Sequence, residues 1–417
     1  MFNQLFKYPK VIKNYLNAPL LEDRLRYLKY RVEQQSSRSV IEDISNYQLT
    51  VIRYLHLKDD NKIITLKEIG NAAECWKRHE RQRFKGALYS SFSSKGHFVR
   101  HAKQWLRFLG RLEILKKPPV PMQITEYADH MRNEKGLADE TIRRSCMQLN
   151  AFFSRLDCKL GEFLSRSTPV DIDAIQVQLF RNSSYCVKTK GLAISILRSF
   201  FRYAEHRGWC RPGIANSIKS PRIYKHATLP FSPSWKEVEL LLRTTEGDRS
   251  VDIRDRAIIL LLAVYGLRDS EVRSLRIDDF DWQQGILYIK HSKLGPRQQF
   301  PIVPTIGQSL IRYLKEVRPK GVAYRELFLT VQAPFHPLKT LFNITRGRWE
   351  RVGVRIKHYG AHSLRHACAT RLINQGVSLK TIADQLGHRH LDTTRIYAKV
   401  DLSRLREVSD INLEELL

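Results

Sequence analysis

Residues 362–400 read HSLRHACATRLINQGVSLKTIADQLGHRHLDTTRIYAKV, a run of short amphipathic segments that leads to a tyrosine. His362 and Arg365 stand one helical turn apart, so a helix places both side chains on one face. His388 precedes Tyr397 by nine residues. A tyrosine in a basic protein is most often a half-buried packing residue. Taken alone, the stretch leaves open whether Tyr397 packs in a core or acts as a nucleophile.

Two further segments with a basic residue of interest lie upstream of this stretch. The segment VDIRDRAIILLLAVYGL (251–267) reads as an apolar helix closed by Gly266, and Arg268 follows it directly. The segment GILYIKHSKLGPRQQFPIV (285–303) alternates like two short strands around a turn and carries Lys293 near the tip. An arginine after a helix is often a surface charge, and a lysine at a turn is often only solvated. Neither segment is specific by itself.

Together, these segments suit attack on a phosphodiester. Two arginines can bind the non-bridging oxygens of a phosphate and stabilise the charge of a pentavalent transition state. A tyrosine can supply the oxygen nucleophile and keep the bond energy in a phosphotyrosine link. Its phenol, with an ordinary pKa near 10, is about 99.9% protonated at pH 7. A histidine can take that proton, and a lysine can protonate the leaving oxygen.

The histidines of the C-terminal half also raise the question of a metal site. His358, His362 and His366 follow one another at steps of four residues. The chain has no H-E-x-x-H pattern and no carboxylates at ligand spacing beside them, so we predict neither a metal nor a cofactor. We interpret His390 as a surface residue or a phosphate contact.

The charge of the chain indicates a polyanionic partner. The 417 residues include 71 basic and 42 acidic side chains, which gives a formal net charge of +29. Nucleic acid and a membrane surface would both satisfy such a charge. No run of about 18 apolar residues is present, and residues 1–20 lack the apolar centre of a signal peptide, which favours nucleic acid. Six cysteines without a C-x-x-C pair suit a reducing cytoplasm.

The periodicity of the chain predicts three domains. Residues 1–95 form an additional helical module, and residues 96–212 form a second helical domain. Residues 213–235 contain three prolines and act as a linker, and residues 236–417 mix helices with the hairpin. The expected fold is mainly α with a small antiparallel β-sheet, and it ends in a mixed α+β domain. The chain up to Lys225 has 41 basic and 21 acidic residues and the rest has 30 and 21, so both parts can close on DNA like a clamp.

These residues resemble the tyrosine recombinase family, which includes phage-type integrases and Xer-like recombinases. The stretch 362–400 is similar to the family segment H-x-L-R-H-x-x-A-T-x-L, LGH, TT-x-x-Y. GLRDSEVRSLRIDDFDW (266–282) resembles the family's arginine box, and SKLGPRQQFPI (292–302) resembles its lysine hairpin. The resemblance extends more loosely over residues 95–210, and it implies that residues 96–212 are a helical DNA-binding domain and residues 236–417 the catalytic domain. Residues 1–95 lie outside what most of the family carries.

The resemblance implies a role for each matching residue. Arg268 and Arg365 would bind the scissile phosphate, and Glu271 would support Arg268. Lys293 would be the general acid. His362 and His388 would assist proton transfer and phosphate binding, and Tyr397 would be the nucleophile. One departure concerns the hairpin, where the family usually has glycine on both sides of the lysine and this chain has Ser292 and Leu294.

The function implied is site-specific recombination of double-stranded DNA through a 3′-phosphotyrosine, without metal or ATP. The protein would act as a homo-tetramer, or a hetero-tetramer with related recombinases, in the cytoplasm at the nucleoid. Integration or transposition of a mobile element is the favoured role, and Xer-like dimer resolution is the alternative. A catalytically silent DNA-binding factor and a type IB-like topoisomerase remain as competing hypotheses.

Overall fold

The computed structural model describes residues 1–58, 62–83, 91–113, 119–154, 156–181, 185–222, 232–290, 297–354, 356 and 358–387. These residues are mainly helical and contain one small antiparallel sheet, which confirms the predicted fold class. The chain divides into two compact units, residues 1–114 with 228–417 and residues 115–227. Within the described ranges, no helix is long and apolar enough to cross a membrane.

The N-terminal part of the first unit is a helical bundle with its own apolar core. Phe98 and Trp105 lie in this core with at most 1% of their surface exposed. The predicted boundary between residues 95 and 96 falls inside the helix that carries both side chains, and the compact unit continues to residue 114. The helices are α1 (Phe2–Leu5), α2 (Pro9–Asn17), α3 (Leu21–Glu33), α4 (Arg38–Leu55), α5 (Leu66–Arg83) and α6 (Ser91–Phe108).

The regular elements of the second unit are all helices over its described residues. Phenylalanines at the end of its two longest helices, among them Phe153, Phe200 and Phe201, meet in its apolar core. Along the longer helix the buried residues Leu197, Phe201 and Ala204 follow one another at three to four positions, the period of an amphipathic face. The helices are α7 (Met122–Asn133), α8 (Asp139–Phe153), α9 (Leu160–Arg166), α10 (Pro169–Arg181), α11 (Val187–His206) and α12 (Ile214–Ser217).

The C-terminal part of the first unit forms around one buried helix. Residues 257–263 of this helix are all buried, because an apolar run without a polar face must be covered on every side. Its elements are α13 (Trp235–Arg243), α14 (Ser250–Val264), α15 (Asp269–Ser274), a 3-10 turn (Ile277–Asp279), β1 (Phe280–Asp281), β2 (Ile286–Ile289), β3 (Gln298–Pro301), α16 (Pro304–Glu316), α17 (Phe342–Val352), α18 (Ala361–Asn374) and α19 (Leu379–Gln385).

The sheet anchors the hairpin to the end of the buried helix. Strands β2 and β3 pair antiparallel with Ile286 opposite Pro301 and Ile289 opposite Gln298, and β1 pairs with the other edge of β2. This pairing confirms the two predicted strands, whereas their turn lies outside the described residues. The Tyr265 hydroxyl donates to the Pro301 carbonyl at 2.6 Å and accepts from the Val303 N–H at 3.0 Å. The hairpin is therefore attached beside the turn that leads to Arg268.

A buried ion network attaches α17 to α14. Arg348, 2% exposed, donates to Asp255 Oδ2 at 2.6 and 2.8 Å and to Asp252 Oδ1 at 2.7 Å. The same guanidinium donates to the carbonyls of Thr244 at 2.6 Å and Val251 at 3.1 Å. A buried charge is tolerated when it is paired and its donors are satisfied, as they are here. The network fixes α17 against α14, the helix that leads to Arg268.

Candidate active site

Arg268 lies between α14 and α15, where the chain turns at Gly266. The buried Glu271 carboxylate accepts hydrogen bonds from the Arg268 N–H at 2.7 Å and from its Nη1 at 2.5 Å. The Glu271 side chain is 1% exposed and the Arg268 side chain 30% exposed. Glu271 thus orients the Arg268 guanidinium and leaves part of it open to an anion. The predicted support of Arg268 by Glu271 corresponds to this local, three-residue contact.

Arg365 projects from α18 and is almost fully buried, with 4% of its surface exposed. Its Nη1 donates to the Gly266 carbonyl at 2.7 Å, and its Nη2 donates to the Leu386 carbonyl at 2.6 Å. Arg268 reaches the next residue along, because its Nη2 donates to the Gly387 carbonyl at 2.9 Å. The two arginines are therefore held against consecutive carbonyls just past the end of α19.

His362 lies on α18, one turn before Arg365, where it is partly covered by its neighbours and partly open to solvent. Partial burial lowers its pKa below the ordinary value near 6.5, and the positive charges of Arg365 and Arg268 lower the pKa further. The imidazole is therefore neutral at pH 7 and can accept a proton or a hydrogen bond. Both arginines act on this pKa, so the three side chains share one electrostatic environment.

The neighbouring histidine on the same helix is also neutral. Burial lowers the pKa of His366 to about 4, with smaller contributions from repulsion by protonated His362 and by Arg365. The rings of His362 and His366 have centroids 6.3 Å apart. In the part of the chain that the structure describes, no group of three or more His, Cys, Asp or Glu side chains is placed to hold a metal ion.

The structure thus brings together four of the seven predicted site residues: Arg268, Glu271, His362 and Arg365. The other three, Lys293, His388 and Tyr397, lie outside the described residues, as does His390. Two of them adjoin described elements in the sequence. His388 directly follows Gly387, whose carbonyl Arg268 binds. Lys293 belongs to the segment between β2 and β3, two strands that are attached beside Arg268.

Sequence reasoning missed one contact of this region, which Gln298 makes. Its Nε2 donates to the carbonyls of Asp384 at 2.8 Å and Gln385 at 3.1 Å, at the end of α19. A glutamine in a short strand is an ordinary residue, and no sequence signal marks it. Its acceptors are 86 and 87 positions away along the chain.

Gly266 gives a first prediction about this site. Its φ is +65°, and a Cβ there would meet Leu386 Cδ2 at 2.6 Å and Cys368 Sγ at 3.2 Å. Both neighbours are buried, so neither can move into solvent. We expect Gly266→Ala to lower the free energy of unfolding by about 2–4 kcal/mol, from left-handed strain plus overpacking. Urea unfolding measures this loss.

Gly285 provides the matched control for that substitution. Its φ is +66°, and nothing lies within 4 Å of a Cβ built there. We therefore expect Gly285→Ala to show only the left-handed strain, about 1–2 kcal/mol. Equal losses in the two variants would contradict the close packing of Gly266 against Leu386.

The arrangement is suited to one kind of ligand. Two guanidiniums, one anchored by a buried carboxylate and one by carbonyls, form a fixed cationic site for tetrahedral oxyanions. A neutral imidazole beside them can move a proton. All four described residues belong to the first unit, and their arrangement suits an enzyme that acts on phosphodiesters.

Comparison with known proteins identifies that class further. The model of the phage integrase family matches residues 234–404, and the model of the phage integrase N-terminal SAM-like domain matches residues 124–208. The integrase/recombinase y4rA of Sinorhizobium fredii is 31% identical over 323 residues, 75% of this chain and 77% of that protein. The tyrosine recombinase XerA of Pyrococcus horikoshii is 29% identical over 286 residues, 68% of this chain and 91% of that protein.

A solved structure agrees in fold. The XerH site-specific recombinase bound to a palindromic difH substrate, in a post-cleavage complex, aligns with a TM-score of 0.52 and 20% identity. The alignment covers 85% of this chain and 98% of that one. The family models and the relatives at 29–31% identity show that the chain belongs to the tyrosine recombinase family, and its function is site-specific recombination.

Proposed function

We propose that Arg268 and Arg365 bind the scissile phosphate of DNA and that Tyr397 is the nucleophile. His362 and His388 assist proton transfer and phosphate binding, and Glu271 holds Arg268 in place. Lys293 is the general acid in this proposal. Residues 236–417 are then the catalytic domain, residues 96–212 bind DNA beside the cleaved bond, and residues 213–235 link them.

The proposed step is a transesterification. The Tyr397 oxygen attacks phosphorus as its proton passes to a histidine, and the bond from phosphorus to the 5′-oxygen of the next nucleotide breaks. Lys293 donates a proton to that 5′-oxygen, which leaves a 5′-hydroxyl and a 3′-phosphotyrosine. The reverse step, with a 5′-hydroxyl from the partner strand, rejoins DNA in the exchanged arrangement. The phosphate link is conserved throughout, so the reaction needs no ATP.

One observation carries this proposal. The guanidiniums of Arg268 and Arg365, whose positions are 97 residues apart in the sequence, converge on the carbonyls of residues 386–387, one residue before His388. Charges fixed in position before the substrate binds stabilise a developing phosphorane charge better than mobile ones. Phosphate binding by the two arginines would then be linked to the position of residues 386–387, which lead along the chain to His388 and Tyr397.

The chemistry of DNA strand exchange determines how many copies of the protein must act together. Two DNA sites must be paired and both strands of each must be cut, so four Tyr397 residues are needed and a tetramer on DNA is implied. It consists of copies of this chain, or of this chain with related recombinases. Both basic parts of the chain contact DNA in this proposal, and affinity falls as salt rises because phosphate contacts release counterions.

The biological role that we propose is integration or transposition of a mobile element. Support comes from the y4rA relative, whose name describes an integrase/recombinase and which aligns with three quarters of this chain. Xer-like resolution of DNA dimers uses the same chemistry and is the second candidate, supported by the alignment with XerA. Inverted repeats that flank the gene would favour the mobile element.

A library of DNA duplexes tests the proposal and finds the target sequence in the same experiment. The protein is incubated with random-sequence duplexes that carry one nick, so that a short cleaved strand diffuses away and traps any covalent complex. Adducts that survive SDS are recovered and their DNA is sequenced. The attached peptide is then mapped by mass spectrometry. We expect enrichment of one sequence and a 3′-phosphate on Tyr397.

The possible outcomes separate the competing functions. DNA binding without any adduct would contradict the proposal and indicate a silent accessory factor. Adducts without sequence enrichment, together with relaxation of any supercoiled plasmid, would indicate a topoisomerase instead. Attachment at another residue would overturn the role of Tyr397 alone.

A further inference from the structure

The end of α19 is held by side chains from three other elements. The last carbonyls of a helix have no partner within it and carry the negative end of the helix dipole. Here four consecutive carbonyls accept from neighbouring side chains. Gln298 donates to residues 384 and 385, Arg365 to residue 386, and Arg268 to residue 387. We call these four carbonyls and three donors the carbonyl clamp.

Gln298 occupies a particular place in this clamp. It is the first residue of β3, and its backbone pairs with Ile289 at the end of β2. Ile289 and Gln298 therefore flank the sequence segment that contains Lys293. The Gln298 side chain joins the start of β3, which follows this segment, directly to the end of α19.

The arginines of the clamp connect this contact to the phosphate. Arg268 and Arg365 are fixed to residues 386–387, and Gln298 is fixed to residues 384–385 of the same chain segment. The position of the start of β3 relative to the two guanidiniums is thus set through a few hydrogen bonds. A shift of about 1 Å in a reacting group is enough to slow an enzyme by about a hundredfold.

We propose that Gln298 is a positioning residue that sets the location of Lys293 relative to the phosphate held by Arg268 and Arg365. The inference rests on the proposed function, in which Lys293 protonates the leaving oxygen. Gln298 itself touches neither DNA nor the reacting atoms in this proposal. Its amide acts through the carbonyls of Asp384 and Gln385.

The chain offers a closely matched set of variants. Gln298→Glu keeps the size of the side chain but replaces the N–H donor with an oxygen that faces carbonyl oxygens. Gln298→Arg restores a donor, with a charge that suits a helix C-terminus. Gln299→Glu makes the same chemical change one residue along the same strand, where the side chain is exposed. It controls for the added negative charge near DNA.

The measurement is single-turnover cleavage of the nicked duplex recovered from the random-sequence library. A second duplex carries sulfur in place of the 5′-oxygen at the cleaved bond, because a thiolate leaves without a proton. We expect Gln298→Glu to cleave the oxygen duplex about 10- to 100-fold more slowly at saturating DNA. The half-saturating DNA concentration should not change. Sulfur should restore most of the rate, and Gln298→Arg and Gln299→Glu should cleave the oxygen duplex nearly as fast as the wild type.

Several results would overturn the inference. A Gln298→Glu rate that sulfur does not restore would mean that Gln298 acts on the nucleophile or on folding. An equal loss in Gln299→Glu would mean that charge alone is responsible. The Lys293→Ala variant separates this inference from the proposed function. If sulfur fails to restore the cleavage rate of Lys293→Ala, the general-acid role and the inference both fail. If sulfur restores the rate of Lys293→Ala but not that of Gln298→Glu, only the role of Gln298 is overturned.

Discussion

A Tyr397→Phe variant is expected to bind the recombination site as tightly as the wild type and to form no covalent adduct. The substitution removes one oxygen and keeps the ring, so packing and charge are unchanged. Without the hydroxyl no phosphotyrosine can form, and we expect the cleavage rate to fall by at least about 10⁴-fold. Denaturing gels of the nicked-duplex reaction measure the adduct, and gel shifts measure the affinity.

Tyr324→Phe is the matched control for this variant. Tyr324 is 41% exposed and belongs to the same compact unit, so removal of its hydroxyl should leave cleavage unchanged. Adduct formation by Tyr397→Phe at the wild-type rate would transfer the nucleophile role to another residue. Loss of DNA binding by the same variant would instead point to a packing role for Tyr397.

Features set by neighbouring residues could be predicted from the sequence. The hairpin was one of them, because alternation over 286–289 and 298–301 and the turn residues between them act locally. The contact of Glu271 with Arg268 was another, because it spans three positions. Helices were predictable from their period of three to four residues, and the fold class followed from those local elements.

Features that depend on distant partners could not be predicted. The pattern of residues 99–115 indicated a helix, but periodicity does not state which core a helix joins, and α6 joins the N-terminal one. The hydrogen bonds of Arg365 reach acceptors 99 and 21 positions away, and those of Gln298 reach acceptors 86 and 87 positions away. The roles of Lys293, His388 and Tyr397 remain predictions from sequence.

The Arg365→Lys variant is expected to have the second large effect on the cleavage rate, because it changes the geometry of the donor group and keeps its positive charge. A guanidinium has a planar fork of five N–H donors, whereas an ammonium has three donors on one nitrogen. Arg365 uses its fork to span the carbonyls of Gly266 and Leu386. One ammonium nitrogen cannot hold both carbonyls and a phosphate, so we expect cleavage to slow by about 10²- to 10³-fold. The variant should also lose about 1–3 kcal/mol of unfolding free energy, because a buried carbonyl is left without its donor.

Single-turnover cleavage and urea unfolding measure the two losses, and Arg346→Lys is their control. Arg346 forms an exposed ion pair with Glu350 at 2.7 Å on the same unit, and such pairs contribute little. DNA affinity should stay nearly constant in both variants, because the number of positive charges is the same. A slow Arg365→Lys enzyme with unchanged DNA affinity would show that the orientation of the guanidinium limits the reaction. Wild-type cleavage by Arg365→Lys would mean that a point charge is sufficient, and Arg365 would then bind the chain before His388 for stability alone.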